Sequence, residues 1–137
     1  MTRRAAAIIF LAAVLGALVY WAGGDPQVDA LNEAIKQNGS RALKEYPYQF
    51  RVLRLEDGVA TMTTPRSPQV PVYRMIRAID PNVNPRDPNN PEFVAAEKAL
   101  AGVQEEARRI VLAQPGVTSV KWELDRNWLI DHGIAVD

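Results

Sequence analysis

Apolar positions along this chain fall into one unbroken run, several stretches of helical spacing and several of alternation. The run comes first: residues 5–22, AAAIIFLAAVLGALVYWA, are 18 positions without a charge, directly behind Arg3 and Arg4. Asp25-Pro26 then offers a helix cap and a proline at the first helical position, and Val28, Leu31 and Ile35 follow at helical spacing, which predicts a helix over 26–38. Residues 40–45 add a short helical turn before Tyr46-Pro47, where the chain must leave the α region. Two β-rich runs flank Asp57-Gly58, a pair suited to a two-residue type I′ turn because both positions need positive φ, so a hairpin is expected. Phe50 and Val52 alternate with Gln49 and Arg51, and Ala60, Met62 and Thr64 with Val59, Thr61 and Thr63, so one face can pack while the other meets water.

The stretch VPVYRMIRAID, residues 70–80, fits two descriptions. Val72, Met75, Ile76 and Ile79 have helical spacing, while the β-branched and aromatic content behind Pro68 and Pro71 favours a strand, and the strand is the expectation taken here. Residues 80–91, with four prolines and four asparagines, must be an exposed loop. Asn90-Pro91-Glu92 starts a long helix carrying Phe93, Ala96, Leu100, Val103, Ala107 and Ile110 as one apolar stripe, ended by Pro115-Gly116. Val120, Trp122 and Leu124 alternate in a returning strand, and the tail holds Trp128, Leu129 and Ile130. The fold class expected is α+β: an N-terminal transmembrane helix, residues 1–24, then a small helix-on-sheet domain over 25–137 with a mainly antiparallel sheet.

At 1.5 Å per residue the apolar run makes a helix of about 27 Å, close to a hydrocarbon core of about 30 Å. The leading arginines stay in the cytoplasm by the positive-inside rule, Tyr20-Trp21 fall at the far interface, and the rest of the chain is exported. A cleaved secretory signal is the alternative, with Ala22-Gly23-Gly24 as the small-residue site. The length of the run and bulky Tyr20 and Trp21 at its end suit a retained anchor better.

Composition narrows the chemistry. The chain has 137 residues, 16 basic and 16 acidic, one histidine and no cysteine. Disulfides, thiolate metal sites and a cysteine nucleophile are excluded, as is a site built of several histidines. Balanced and scattered charge argues against a nucleic-acid partner. From Asp25 onward 14 basic residues face 16 acidic ones, so attraction to anionic headgroups would need a local patch.

Leu31 and Ala34, Phe50 and Val52, Asp57-Gly58-Val59-Ala60-Thr61-Met62, Ala107 and Ile110, and Pro115-Gly116-Val117-Thr118-Ser119-Val120 together resemble the BON domain family over about residues 28–125. The resemblance implies a BON-like αββαβ module of the bacterial envelope, associated with phospholipid surfaces and membrane-stress tolerance. The chain departs from that pattern in having Thr63 or Thr64 where a small glycine usually stands, and in an insertion over 70–91. The quoted residues are folding residues: turn glycine, helix-ending Pro-Gly and core valines.

No catalytic constellation emerges, and no cofactor or metal is expected. His132 beside Asp131 lacks an indicated nucleophile, and Glu105, Glu106 and Asp87 lack the spacing of a hard-cation loop. The candidate interaction surface is Trp128, Arg51, Arg74, Arg108 and Arg109. An aromatic such as Trp128 can anchor an interface, and clustered arginines can bind lipid phosphate. On a regular strand Arg51 and Arg54 point to opposite faces, as would Arg74 and Arg77. The expected function is a non-enzymatic protein of the bacterial inner membrane, single-pass with its domain in the periplasm. It would act in envelope maintenance through contact with phospholipid headgroups or a protein. An accessory subunit of a membrane complex is the alternative, since Ala12, Gly16 and Ala17 put small residues on the anchor helix.

Overall fold

The computed structural model describes residues 24–83, 87 and 89–136. The apolar run at 5–22 lies outside the described residues, and among those described no helix is long and apolar enough to cross a membrane. The elements are α1 (Pro26–Asn38), α2 (Arg41–Lys44), β1 (Val52–Glu56), β2 (Val59–Thr64), α3 (Val72–Ile79), α4 (Pro91–Leu112), β3 (Ser119–Leu124) and α5 (Arg126–Asp131). This is an α+β fold on a three-stranded sheet of order β1-β2-β3.

Local chemistry explains the helix starts. Asp25 accepts from the Gln27 N–H ahead of α1, Ser40 from Leu43 ahead of α2, and Asn90 from Glu92 ahead of α4, each satisfying a donor the first turn would otherwise leave free. At the hairpin Asp57 and Gly58 have φ of 51° and 79°, the two positive values a type I′ turn needs. Gly58 is also required sterically, because a Cβ there would sit 2.7 Å from Thr118 Oγ1. Thr118 donates its N–H and its hydroxyl to the Gly58 carbonyl, tying the start of β3 to the turn.

Two expectations are corrected. Residues 72–79 form a helix, α3, and add no strand to the sheet. Met75 and Ile76 are buried on its inner side, so the three-and-four spacing of apolar positions outweighs β propensity. The sheet is mixed rather than mainly antiparallel: β1 pairs antiparallel with β2, and β3 pairs parallel with β2. The helices between β2 and β3 carry the chain back along the sheet, so the next strand starts from the same end as β2.

The main core joins α1, α4 and the inner face of the sheet through Leu31, Val52, Ala60, Met62, Leu100 and Val111, among others. Val83 from the Pro/Asn-rich loop enters it, and the loop's described part is shaped by Asx turns in which Asp80 accepts from Asn82 and Asp87 from Asn89. A second, smaller cluster of Val70, Leu129 and Ile134 lies beneath α5 and the tail. The central strand β2 is buried on both faces. Thr61 and Thr63, placed by the alternation on a water-facing side, are buried as well, under charged side chains from the flanking strands.

Candidate functional site

The outer face of the sheet gathers charge in a way simple alternation does not anticipate. Val52 pairs with Met62 but Arg54 with Thr61, so Leu53 is the extra residue of a β-bulge. Arg51 therefore stands opposite Thr63, to which its backbone bonds, and Arg54 opposite Thr61, so the two arginines share one face. This corrects the expectation that they point apart. They do not form a free cationic cluster, however. Arg51 Nη1 lies 3.3 Å from Asp125 Oδ2 and Arg54 Nη2 lies 2.7 Å from Glu123 Oε1. Arg54 holds the Glu123 carboxyl below its ordinary range, and Glu123 holds the Arg54 guanidinium above its own, each through their hydrogen bond. Lys121 and Glu56 complete a face on which cations and anions balance.

Asp125 is the node of this region. Its Oδ2 accepts from the buried Tyr48 hydroxyl at 2.9 Å, and its Oδ1 caps α5 by accepting from the Trp128 N–H at 3.2 Å. Trp128 is half-buried between the two clusters, edge-on to Tyr48 at 5.3 Å, with His132 stacked on it at 4.0 Å. Much of this ring is thus taken up by the fold. The His132 Nδ1 lies 2.7 Å from the Trp128 carbonyl oxygen, which accepts a hydrogen bond from it.

Burial lifts the Tyr46 phenol to about 12, with the Asp80 carboxylate adding to the rise, and burial lifts Tyr48 further. A phenol raised above its unfolded value of about 10 stabilises the fold fully below that pH, and the contribution fades as pH climbs toward the folded value. The denaturant midpoint is therefore expected to fall as pH rises from about 10 to about 12. A Tyr46→Phe/Tyr48→Phe variant should fall less steeply in the same titration, and equal slopes would contradict the assignment.

Along α4, Arg108 bonds Glu105 at 3.0 Å. Arg109 is exposed beside Glu106, whose carboxylate accepts from Ser40 N and Oγ at 2.6 Å each and fastens α2 to α4.

The remaining candidate, Arg74, has a different setting. Because its segment is a helix, Arg74 and Arg77 are three apart on one exposed side of α3, and Tyr73, four residues before Arg77, flanks Arg77 on the side away from Arg74. Tyr73 is 45 % exposed and Val72 40 %, two of the three large apolar residues that stand out from the described surface. Arg66 closes the adjoining hollow with Val70, Val72 and Met75. No ion pair of the described residues involves Arg66, Arg74 or Arg77. On α3 two guanidinium groups without an ion-pair partner among the described residues stand beside an exposed aromatic, an arrangement suited to an interfacial contact with phosphate groups. Reading 70–80 as a strand concealed this patch; the helical spacing of 72, 75, 76 and 79 was the signal for it. Among the described residues no cluster of His, Asp or Glu could hold a metal ion. Neither a family model, nor a curated protein, nor a solved structure matches the chain.

Proposed function

We propose that the chain is a non-enzymatic protein of the bacterial inner membrane, anchored through residues 5–22 with its α+β domain in the periplasm, and that α3 rests on anionic lipid headgroups. The observation that carries the contact is the exposed side of α3, where Tyr73 accompanies Arg74 and Arg77, which have no ion-pair partners among the described residues. Each arginine near an anionic surface contributes about 1 kcal/mol, and partial insertion of the Tyr73 ring adds to it. The element order supports a BON-like reading, since setting aside α2, α3 and α5 leaves αββαβ.

Reporters of opposite compartment preference fused after Asp137 test the topology: activity is expected only from the one that works outside the cytoplasm, and the reverse result sinks the proposal. For the surface itself, Arg74→Glu/Arg77→Glu is expected to lower binding to anionic vesicles by about tenfold or more, with weaker binding as salt rises. Ile130, 58 % exposed on α5, favours a second reading in which the protein is an accessory subunit covered there by a partner. Mild-detergent purification of a stoichiometric companion would support that reading.

A further inference from the structure

The two edges of the sheet are treated differently. On β1 the outward N–H and C=O of Val52 are both taken by one side chain: Asn32 Oδ1 accepts from Val52 N at 2.7 Å, and Asn32 Nδ2 donates to Val52 O at 3.0 Å. The amide of α1 thus stands in for a neighbouring strand, and the bulge at Leu53 further spoils that edge for pairing. On β3 no such device is present. The N–H groups of Ser119 and Asp125 point into β2, to Gly58 O and Thr64 O. By the two-residue period Lys121 and Glu123 do the same, and Val120, Trp122 and Leu124 direct their N–H and C=O outward. Among the described residues nothing pairs with those outward groups, and β3 contains neither proline nor bulge over its six residues.

We infer that the open edge of β3 takes β3 of a second copy of this chain, antiparallel, with Trp122 facing Trp122 across a two-fold axis. Three in-phase registers pair at least two of the three outward residues of each strand, and charge selects one of them. Centring on Trp122 sets Val120 against Leu124 of the second copy and Lys121 against Glu123 of the second copy, twice by symmetry. These charged residues fall at the non-hydrogen-bonded pairs, where side chains approach most closely. A slip of one pairing toward the amino end sets Lys121 against Lys121; the opposite slip sets Glu123 against Glu123. Like charges directly opposed disfavour both. The same register places the half-buried side chains of Val120, Trp122 and Leu124 beside their symmetry mates on the helix-covered face, extending the core across the axis. The contact is isologous, as a closed dimer requires. It uses none of the α3 surface, so its success or failure is independent of the lipid reading.

Because the chain has no cysteine, introduced thiols report the register without background. Full-length Lys121→Cys and Glu123→Cys chains, oxidised together in membranes, should form a disulfide heterodimer at least about tenfold above either alone. A Lys121→Cys homodimer, a Glu123→Cys homodimer, no crosslink, or equal crosslinking by exposed Gln37→Cys would each overturn the pairing. A second measurement needs no variant. In the full-length wild-type chain, the Trp122 amide should exchange hydrogen within about tenfold of the Lys121 amide, which the sheet already protects. Exchange about a hundredfold or more faster at Trp122 would show an open edge and overturn the inference.

Discussion

Leu100→Ala is expected to destabilise the folded domain by about 3–4 kcal/mol, the largest loss from a single truncation. Leu100 is 1 % exposed, on the inner side of α4, in the main core. Leucine truncations at buried sites cost about 2–5 kcal/mol, and the helix preference for alanine returns only a few tenths. A domain of this size has a total stability of about 5–15 kcal/mol, so the variant would be much closer to unfolding. Urea titration measures the effect as a shifted midpoint with unchanged slope. Ile130→Ala, at a mostly exposed site, is the control and should move stability by less than about 0.5 kcal/mol.

Asp125→Ala is expected to cost about 2–4 kcal/mol. Losing the cap of α5 contributes about 1 kcal/mol. The buried Tyr48 hydroxyl is left without its carboxylate acceptor, which adds about 1–3 kcal/mol. Arg51 is half-exposed and returns to water, so its lost bridge adds little. A double-mutant cycle separates the parts. If the hydroxyl carries most of the cost, Tyr48→Phe should recover part of the loss in the Asp125→Ala background while destabilising the wild type. Strict additivity of the two substitutions would contradict this account.

What the sequence revealed follows from the range of the forces involved. Asp25-Pro26 and Asn90-Pro91 marked helix starts because caps act within one turn, and Asp57-Gly58 marked the hairpin because two positive φ values are a local demand. The two failures over the fold were failures of context. Nothing near residues 70–80 decides between periods until Met75 and Ile76 have a core to enter, and neither propensity nor local spacing reveals that β3 returns parallel to β2. The bulge at Leu53 is equally silent in one dimension, yet it reverses which arginines are neighbours. The candidate site suffered for the same reason. Arg51 and Arg108 are held by carboxylates, while Arg74, which strand geometry would have separated from Arg77, lies on the exposed side of a helix beside Arg77 and Tyr73.

Among the described residues every member of both clusters lies at or beyond Val28, so the fragment from Asp25 onward carries the domain without the apolar run. A single thiol at Tyr73→Cys in that fragment, labelled with a polarity-sensitive fluorophore, reads the proposed contact at the residue that makes it. The account expects its emission to shift to shorter wavelength on anionic vesicles, to stay unchanged on zwitterionic ones, and to stay unchanged on both when the label sits at Gln37→Cys. No shift at position 73 on anionic vesicles, or an equal shift at position 37, would contradict it.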